Sequence, residues 1–281
     1  MTLPAREAGA GTSTVLPAVA STACRARLDG PSSRGRLLGA SHRAVWMSID
    51  DDVIVLAAAD GVRLPNGMAL GVESTERPFE GMAPGDAAVV GEGMLHLPGL
   101  TARAARWWDP RPALAASTSA VVRERSAAAR LRVDPVDDRG LGRALAGGDA
   151  PGVVAAAEAL LGLGLGLTPQ GDDVLAGALA ALRLMGGALG RSRPGALVDE
   201  VAPAVLSAAA GHTTALSASL LRHACRGNVA DPVAGFLHVL TGRGDLDTAT
   251  ETLLAVGHSS GASLAAGILC GAEAACGEET M

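Results

Sequence analysis

Gly162-Leu163-Gly164-Leu165-Gly166-Leu167-Thr168-Pro169-Gln170-Gly171-Asp172-Asp173 is the stretch on which the reading of this chain turns. Thr168 has the side chain of a helix N-cap, and Pro169 suits the first helical position, where a missing N–H costs nothing. The spacing therefore predicts a helix from here to Leu184. A helix start presents free N–H groups and the positive end of the dipole, which makes it a natural anion site. The glycines let the backbone approach a partner closely. Gly171 in the first turn costs about 1 kcal/mol of helix propensity against Ala, and close approach of a ligand is one compensation. Asp172 and Asp173 point about 100° apart on a helix. One can act as acid or base or bind a metal, while the other caps or faces solvent. Acidic residues also favour a first helical turn for no functional reason.

Two later segments repeat the design. Gly211-His212-Thr213-Thr214 opens an Ala/Leu run to Ala224, and Gly257-His258-Ser259-Ser260-Gly261 opens another to about Ala275. His212 and His258 stand in like settings. With Thr168 they suggest helix starts gathered around one pocket. Gly166, Thr168, Gly171, His212 and Thr213 are candidate anion-binding residues on that reading, joined by Ser259, Ser260 and Gly261. Asp172, Asp173 and His258 are the candidate catalytic groups, and Asp172 is the candidate ligand should Mg²⁺ be used; no other cofactor is evident. His258 could equally satisfy a neighbouring carbonyl. The segment Gly257–Gly261 also fits the G-x-S-x-G nucleophile elbow, but that fold needs its acid and then its His after the Ser, and no His follows Gly261. Ser259 or Ser260 reads better as the N-cap of a last helix after a helical Asp247–Val256. His223 and His238 read as core or surface residues. No H-E-x-x-H zinc motif occurs, and Gly162–Gly166 is out of register with the G-x-G-x-x-G fingerprint.

Upstream the pattern changes. Ala44–Ile49 and Val53–Ala58 are apolar runs around Asp50-Asp51-Asp52, a hairpin signal. Ala87–Val90 and Met94–Leu97 flank Gly91-Glu92-Gly93 in the same way, and Leu64-Pro65-Asn66-Gly67 is a turn. Turns every 8–12 residues point to a small antiparallel sheet or barrel. Ala102–Pro112, with Trp107 and Trp108, reads as a link between halves, its Trp pair packing the junction. Pro112–Arg132, Leu141–Ala146 and Val153–Leu160 read as helices. The expected fold class is α+β: a disordered tail at 1–13, a barrel-like antiparallel β domain at 14–112, and an α-helical domain at 113–281.

Composition sets the limits. Of the 281 residues 48% are hydrophobic but only 2% aromatic, with no Tyr. The core must be Leu, Val and Ala, with helices crossing closely on small residues. All 23 basic residues are Arg. Without Lys there is no Schiff base and no P-loop lysine. A bound anion must be held by Arg, backbone N–H groups or a metal. The net charge of −6 and the lack of a basic stripe disfavour nucleic acid. Cys24, Cys225, Cys270 and Cys276 show no metal-type spacing and read as reduced thiols of a cytoplasmic protein. The Ala/Leu stretch 152–190 carries too many charges to span a membrane, and no signal peptide is evident.

Taken together, these motifs carry a resemblance. Gly166–Asp173 resembles the Gly-Leu-Thr-Pro-x-Gly-Asp-Asp signature of the AllH-like bacterial family, which includes the proposed oxamate carbamoyltransferase subunit of allantoin degradation. Gly257–Gly261 with Leu264 and Gly267, the Thr213–Ser217 helix start and Trp108-Asp109-Pro110 are similar to further features of that family, over roughly residues 35–275. The resemblance implies a subunit working with AllF (FdrA-like) and AllG-like partners on a small anionic substrate, interconverting oxalurate plus phosphate with oxamate plus carbamoyl phosphate in purine nitrogen catabolism. Members have also been labelled carboxylases, and a non-catalytic scaffold or metabolite-sensing subunit is the alternative. Ordinary carbamoyltransferases hold phosphate with Ser-Thr-Arg-Thr; Ser117-Thr118-Ser119-Ala120 does not reproduce it, so any such chemistry here uses another architecture.

Overall fold

The computed structural model describes residues 14–277. The expected tail at 1–13 lies outside them. The chain divides after Pro110 into two compact units.

The first unit is a closed barrel of eight strands: β1 (Thr14–Ser21), β2 (Ser33–Ala40), β3 (Ala44–Ile49), β4 (Asp52–Ala57), β5 (Gly67–Leu70), β6 (Ala87–Gly91), β7 (Met94–Leu97) and β8 (Leu100–Trp108). Their order is β1-β5-β4-β3-β2-β6-β7-β8, closing on itself. Closure leaves no open sheet edge. The barrel form expected from the turns is present. The pairing is mixed, however: β4 with β5 and β1 with β8 are parallel. A long connection, not a tight turn, separates β4 from β5, and that freedom permits the parallel match. β3, read from sequence as an apolar run, buries alternate residues Val45, Met47 and Ile49. The β6–β7 hairpin turns on Glu92 and Gly93, both at positive φ, as a two-residue hairpin loop of the right twist demands. The supposed link at 102–112 is mostly strand β8. Trp107 and Trp108 end it partly exposed, with the guanidiniums of Arg25 and Arg63 over their rings at 4.3 and 5.7 Å.

A short helix, α1 (Arg25–Asp29), belongs to the barrel unit; the other nine described helices form the second unit. They are α2 (Ser119–Arg130), α3 (Leu141–Gly147), α4 (Ala150–Leu160), α5 (Gln170–Ala188), α6 (Arg193–His212), α7 (Ala215–Cys225), α8 (Asp231–Leu240), α9 (Leu246–Leu254) and α10 (Ser260–Cys276). α2 starts later than Pro112 because Thr118 supplies the cap, accepting from the Val121 N–H at 3.3 Å. Fifteen of the nineteen residues of α5 are buried, which marks it as the central helix. Its principal partner is α10. The two approach on glycine: a Cβ at Gly267 would overlap the Val174 carbonyl, one at Gly271 the Ala178 carbonyl, and one at Gly177 the Leu264 carbonyl. This is the close crossing that an Ala/Leu core without aromatics requires. At the far end of α10 the Arg191 guanidinium donates to the carbonyls of Ala275 and Cys276, satisfying groups the helix leaves open. No described helix is long and apolar enough to cross a membrane.

Candidate functional site

The helix predicted at Thr168 begins one residue later than its caps suggested. Pro169 is the N-cap, with ψ 144°, and its carbonyl accepts from the N–H groups of Asp172 and Asp173 at 3.0 and 3.2 Å. Thr168 is left outside the helix. Its hydroxyl reaches the Ser260 hydroxyl of α10 at 2.9 Å. Thr168 stands one residue before the N-cap, and the Gly171 N–H already donates to the Leu163 carbonyl at 2.9 Å, so the hydroxyl is free to tie two helix starts together.

Gly171 has a different reason from ligand approach. A Cβ there would overlap the Leu160 carbonyl at the end of α4, and its N–H already donates to the Leu163 carbonyl at 2.9 Å. Gly261 is similar: its N–H donates to Val256 at 2.9 Å, and a Cβ would overlap the Leu253 carbonyl. Both glycines are spent on backbone packing. Gly166 sits in the exposed loop at φ 96° with open space where a Cβ would stand.

The two acidic residues are both buried, at 2% exposure for Asp172 and 6% for Asp173, so neither faces solvent. Asp172 is fully engaged. One oxygen accepts from the Gly162 N–H at 2.9 Å and the other from the Thr213 hydroxyl. It ties the glycine loop and the α6–α7 junction to the first turn of α5. An Mg²⁺ ion at Asp172 would have to displace those donors. Among the described residues no group of three or more His, Cys, Asp and Glu side chains is placed to hold a metal.

Asp173 differs. Its Oδ2 is buried and has no hydrogen-bond partner among the described residues. Burial pushes its carboxyl up to about 7; the hydroxyls of Ser260 and Thr168 pull it down, and the charge of Asp172 beside it pushes it up. Thr168 and Ser260 bring two hydroxyl protons, and their mutual bond uses only one. The other is available to Asp173. A carboxyl that is half-ionised near neutrality, beside hydroxyls that can relay a proton, is equipped for acid/base work.

The third helix start also joins. Thr214 caps α7, accepting from the Ser217 N–H at 3.1 Å and donating to the Leu167 carbonyl at 2.6 Å. Its role in fixing the glycine loop escaped the sequence reading, although the Thr-x-x-Ser spacing at a helix start was its signal. Ser259 is the N-cap of α10 through its backbone, and its carbonyl accepts from Ser263 at 3.1 Å. The two histidines are exposed, whereas the carboxylates are buried. His212 is the last residue of α6, not a helix start, and its exposed ring pairs with the Ala208 carbonyl of its own helix at 2.8 Å. His258 is exposed in the turn before α10. The structure thus brings together Thr168, Asp172, Asp173, Thr213 and Ser260.

In the helical unit the starts of α5, α7 and α10 thus meet around a buried carboxylate pair. Residues 160–272 match the model of the family described as oxamate carbamoyltransferase subunit AllH. That segment, over which the chain is similar to the family, contains every residue of the cluster and begins well after the barrel, so the match is shorter than the span the motifs suggested. No solved structure matches the chain.

Proposed function

We propose that this chain is a subunit of an oxamate carbamoyltransferase-like complex and that Asp173 carries the proton of the transfer. The buried, unpartnered oxygen of Asp173, on a carboxyl raised to about 7, supports this reading most directly. In the expected reaction a hydrogenphosphate oxygen attacks the ureido carbonyl of oxalurate. The C–N bond to the oxamate half breaks, and a C–O bond to phosphate forms. The proton released by the phosphate must reach the departing amide nitrogen. Asp173 can take it and return it, with the Thr168–Ser260 hydroxyl pair as relay. Asp172 helps without moving a proton: its charge keeps the Asp173 carboxyl from ionising too easily. Partners resembling AllF and AllG, and a place in allantoin nitrogen breakdown, belong to the same proposal. So does a cytoplasmic setting, on the cysteine spacing.

The test is phosphorolysis of oxalurate by the chain with its partner subunits, wild type against Asp173→Asn. General acid–base catalysis is worth about 10²–10⁴-fold, so a loss of that size is expected in kcat with assembly unchanged. Turnover at the wild-type rate overturns the assignment. Carbamoyl transfer that needs the chain only as a scaffold would show the same insensitivity.

A further inference from the structure

We propose that the cleft between the end of α3, the start of α6 and the end of α10 is a binding site for a small organic anion, whose phosphate or carboxylate group is held by Arg191 and Arg193. The site belongs to the helical unit alone and stands independently of the role given to Asp173. Leu182, in its wall, lies nine residues along α5 from Asp173, about 14 Å of helix rise.

The cleft has a volume of about 580 Å³, within the range of roughly 300–1,000 Å³ for small-molecule sites. Leu145, Leu182 and Leu197 supply its apolar wall. Arg191, Ser192 and Arg193 supply its polar groups, and no described Asp or Glu lines it. The two cations are placed by the fold. The Arg191 N–H donates to the Gly186 carbonyl at 2.8 Å, which fixes the short connection from α5 to α6. Each guanidinium then rests against a glycine from another segment. A Cβ at Gly148 would fall 2.7 Å from Arg193 Nη2, and one at Gly277 would fall 2.7 Å from Arg191 Nη1.

Their charge is left over. Arg191 donates to the carbonyls of Ala275 and Cys276 and, at 3.3 Å, to the Ser119 hydroxyl. None of these is a carboxylate. Arg193 is exposed and has no hydrogen bond or ion pair among the described residues. Ser192 is the N-cap of α6 but makes no side-chain cap bond, so its hydroxyl is uncommitted as well. The cleft around Arg130 shows the opposite arrangement. There the guanidinium gives two donors to Glu273 at 2.6 and 2.7 Å, and Asp134 and Asp138 line the same walls. A guanidinium answered by the fold has little left for a ligand. Arg191 and Arg193 keep a charge and a planar donor fork that match a carboxylate or a phosphate. The leucine wall beside them selects an anion with a hydrocarbon body over an inorganic ion.

The test is isothermal titration calorimetry of the full chain with hexyl phosphate, hexanoate, inorganic phosphate and hexanol, at a salt concentration of about 0.15 M. Hexyl phosphate or hexanoate should bind, with hexanol and inorganic phosphate about tenfold weaker or more. From ethyl to hexyl phosphate the affinity should rise by up to about fourfold per methylene. The tighter of the two headgroups assigns the ligand as a phosphate ester or a carboxylate, and either keeps the site. Arg193→Gln, at an exposed side chain with no partner to lose, should weaken binding about tenfold with the melting temperature unchanged. Arg243→Gln, at an exposed guanidinium outside the cleft, should leave binding as it is. Asp173→Asn should bind as the wild type does, which separates this site from the one at the start of α5. Wild-type affinity in Arg193→Gln overturns the proposal. So does failure of both hexyl ligands to bind, or loss of binding in Asp173→Asn. Inorganic phosphate that binds as tightly as hexyl phosphate also overturns it, since the cleft would then take an adventitious ion only.

Discussion

The middle of α5 and its first turn both pack against α10, yet they do opposite things with the closeness. In the middle, Gly177, Gly267 and Gly271 let two backbones touch, and the surroundings are Val, Leu and Ala. At the first turn the same approach sets Asp173 beside Ser260 and Thr168, and the surroundings are polar. The crossing supplies the rigidity, and the start places a carboxyl where water is scarce. A buried carboxyl is costly, and the fold tolerates it because the apolar crossing one turn away offsets the cost.

The comparison can be broken first at the crossing. Gly267→Val should be the most damaging single change, since its Cβ would overlap the Val174 carbonyl and backbone cannot yield as a side chain can. Overpacking of this kind costs typically 1–3 kcal/mol and more against backbone, so a loss of about 3 kcal/mol or more in chemical denaturation is expected. At the polar end the effects should be smaller. Asp172→Ala leaves the Gly162 N–H and the Thr213 hydroxyl without their acceptor, so about 2–3 kcal/mol of stability should go, read by the same denaturation. Thr214→Ala removes a helix cap and the clasp on Leu167, and about 1 kcal/mol is expected, with faster amide exchange in the glycine loop as the sharper readout.

Much of this was legible in the sequence for reasons that can be named. Short apolar runs and regularly spaced turns were enough to point to a small sheet or barrel, because turns that need positive φ leave direct marks. The parallel pairs β4–β5 and β1–β8 left no such mark, since which strands meet across a long connection is decided by closure of the whole barrel. At the site, Thr168, Pro169 and the Asp pair announced a helix start, and the gathering of three helix starts followed from their shared design. What sequence could not show was that Gly171 and Gly261 are spent on carbonyls of neighbouring segments, because close backbone approach and ligand approach ask for the same residue. Nor could it tell Asp172 from Asp173. Helical spacing sets their directions, but only the Gly162 N–H and the Thr213 hydroxyl, brought in from elsewhere, decide which of the two is satisfied.

That difference between neighbouring carboxyls also has a pH signature. The folded chain holds a proton on Asp173 that the unfolded chain gives up near pH 4, so the stability contributed by this group falls as pH rises from about 4 to about 7 and is level above. The carbon-13 signal of the Asp173 carboxyl, assigned by its disappearance in Asp173→Asn and followed from pH 4 to pH 9, reads this directly. A midpoint near 7 is expected; a midpoint near 4, the value of an exposed aspartate, contradicts the role given to this residue.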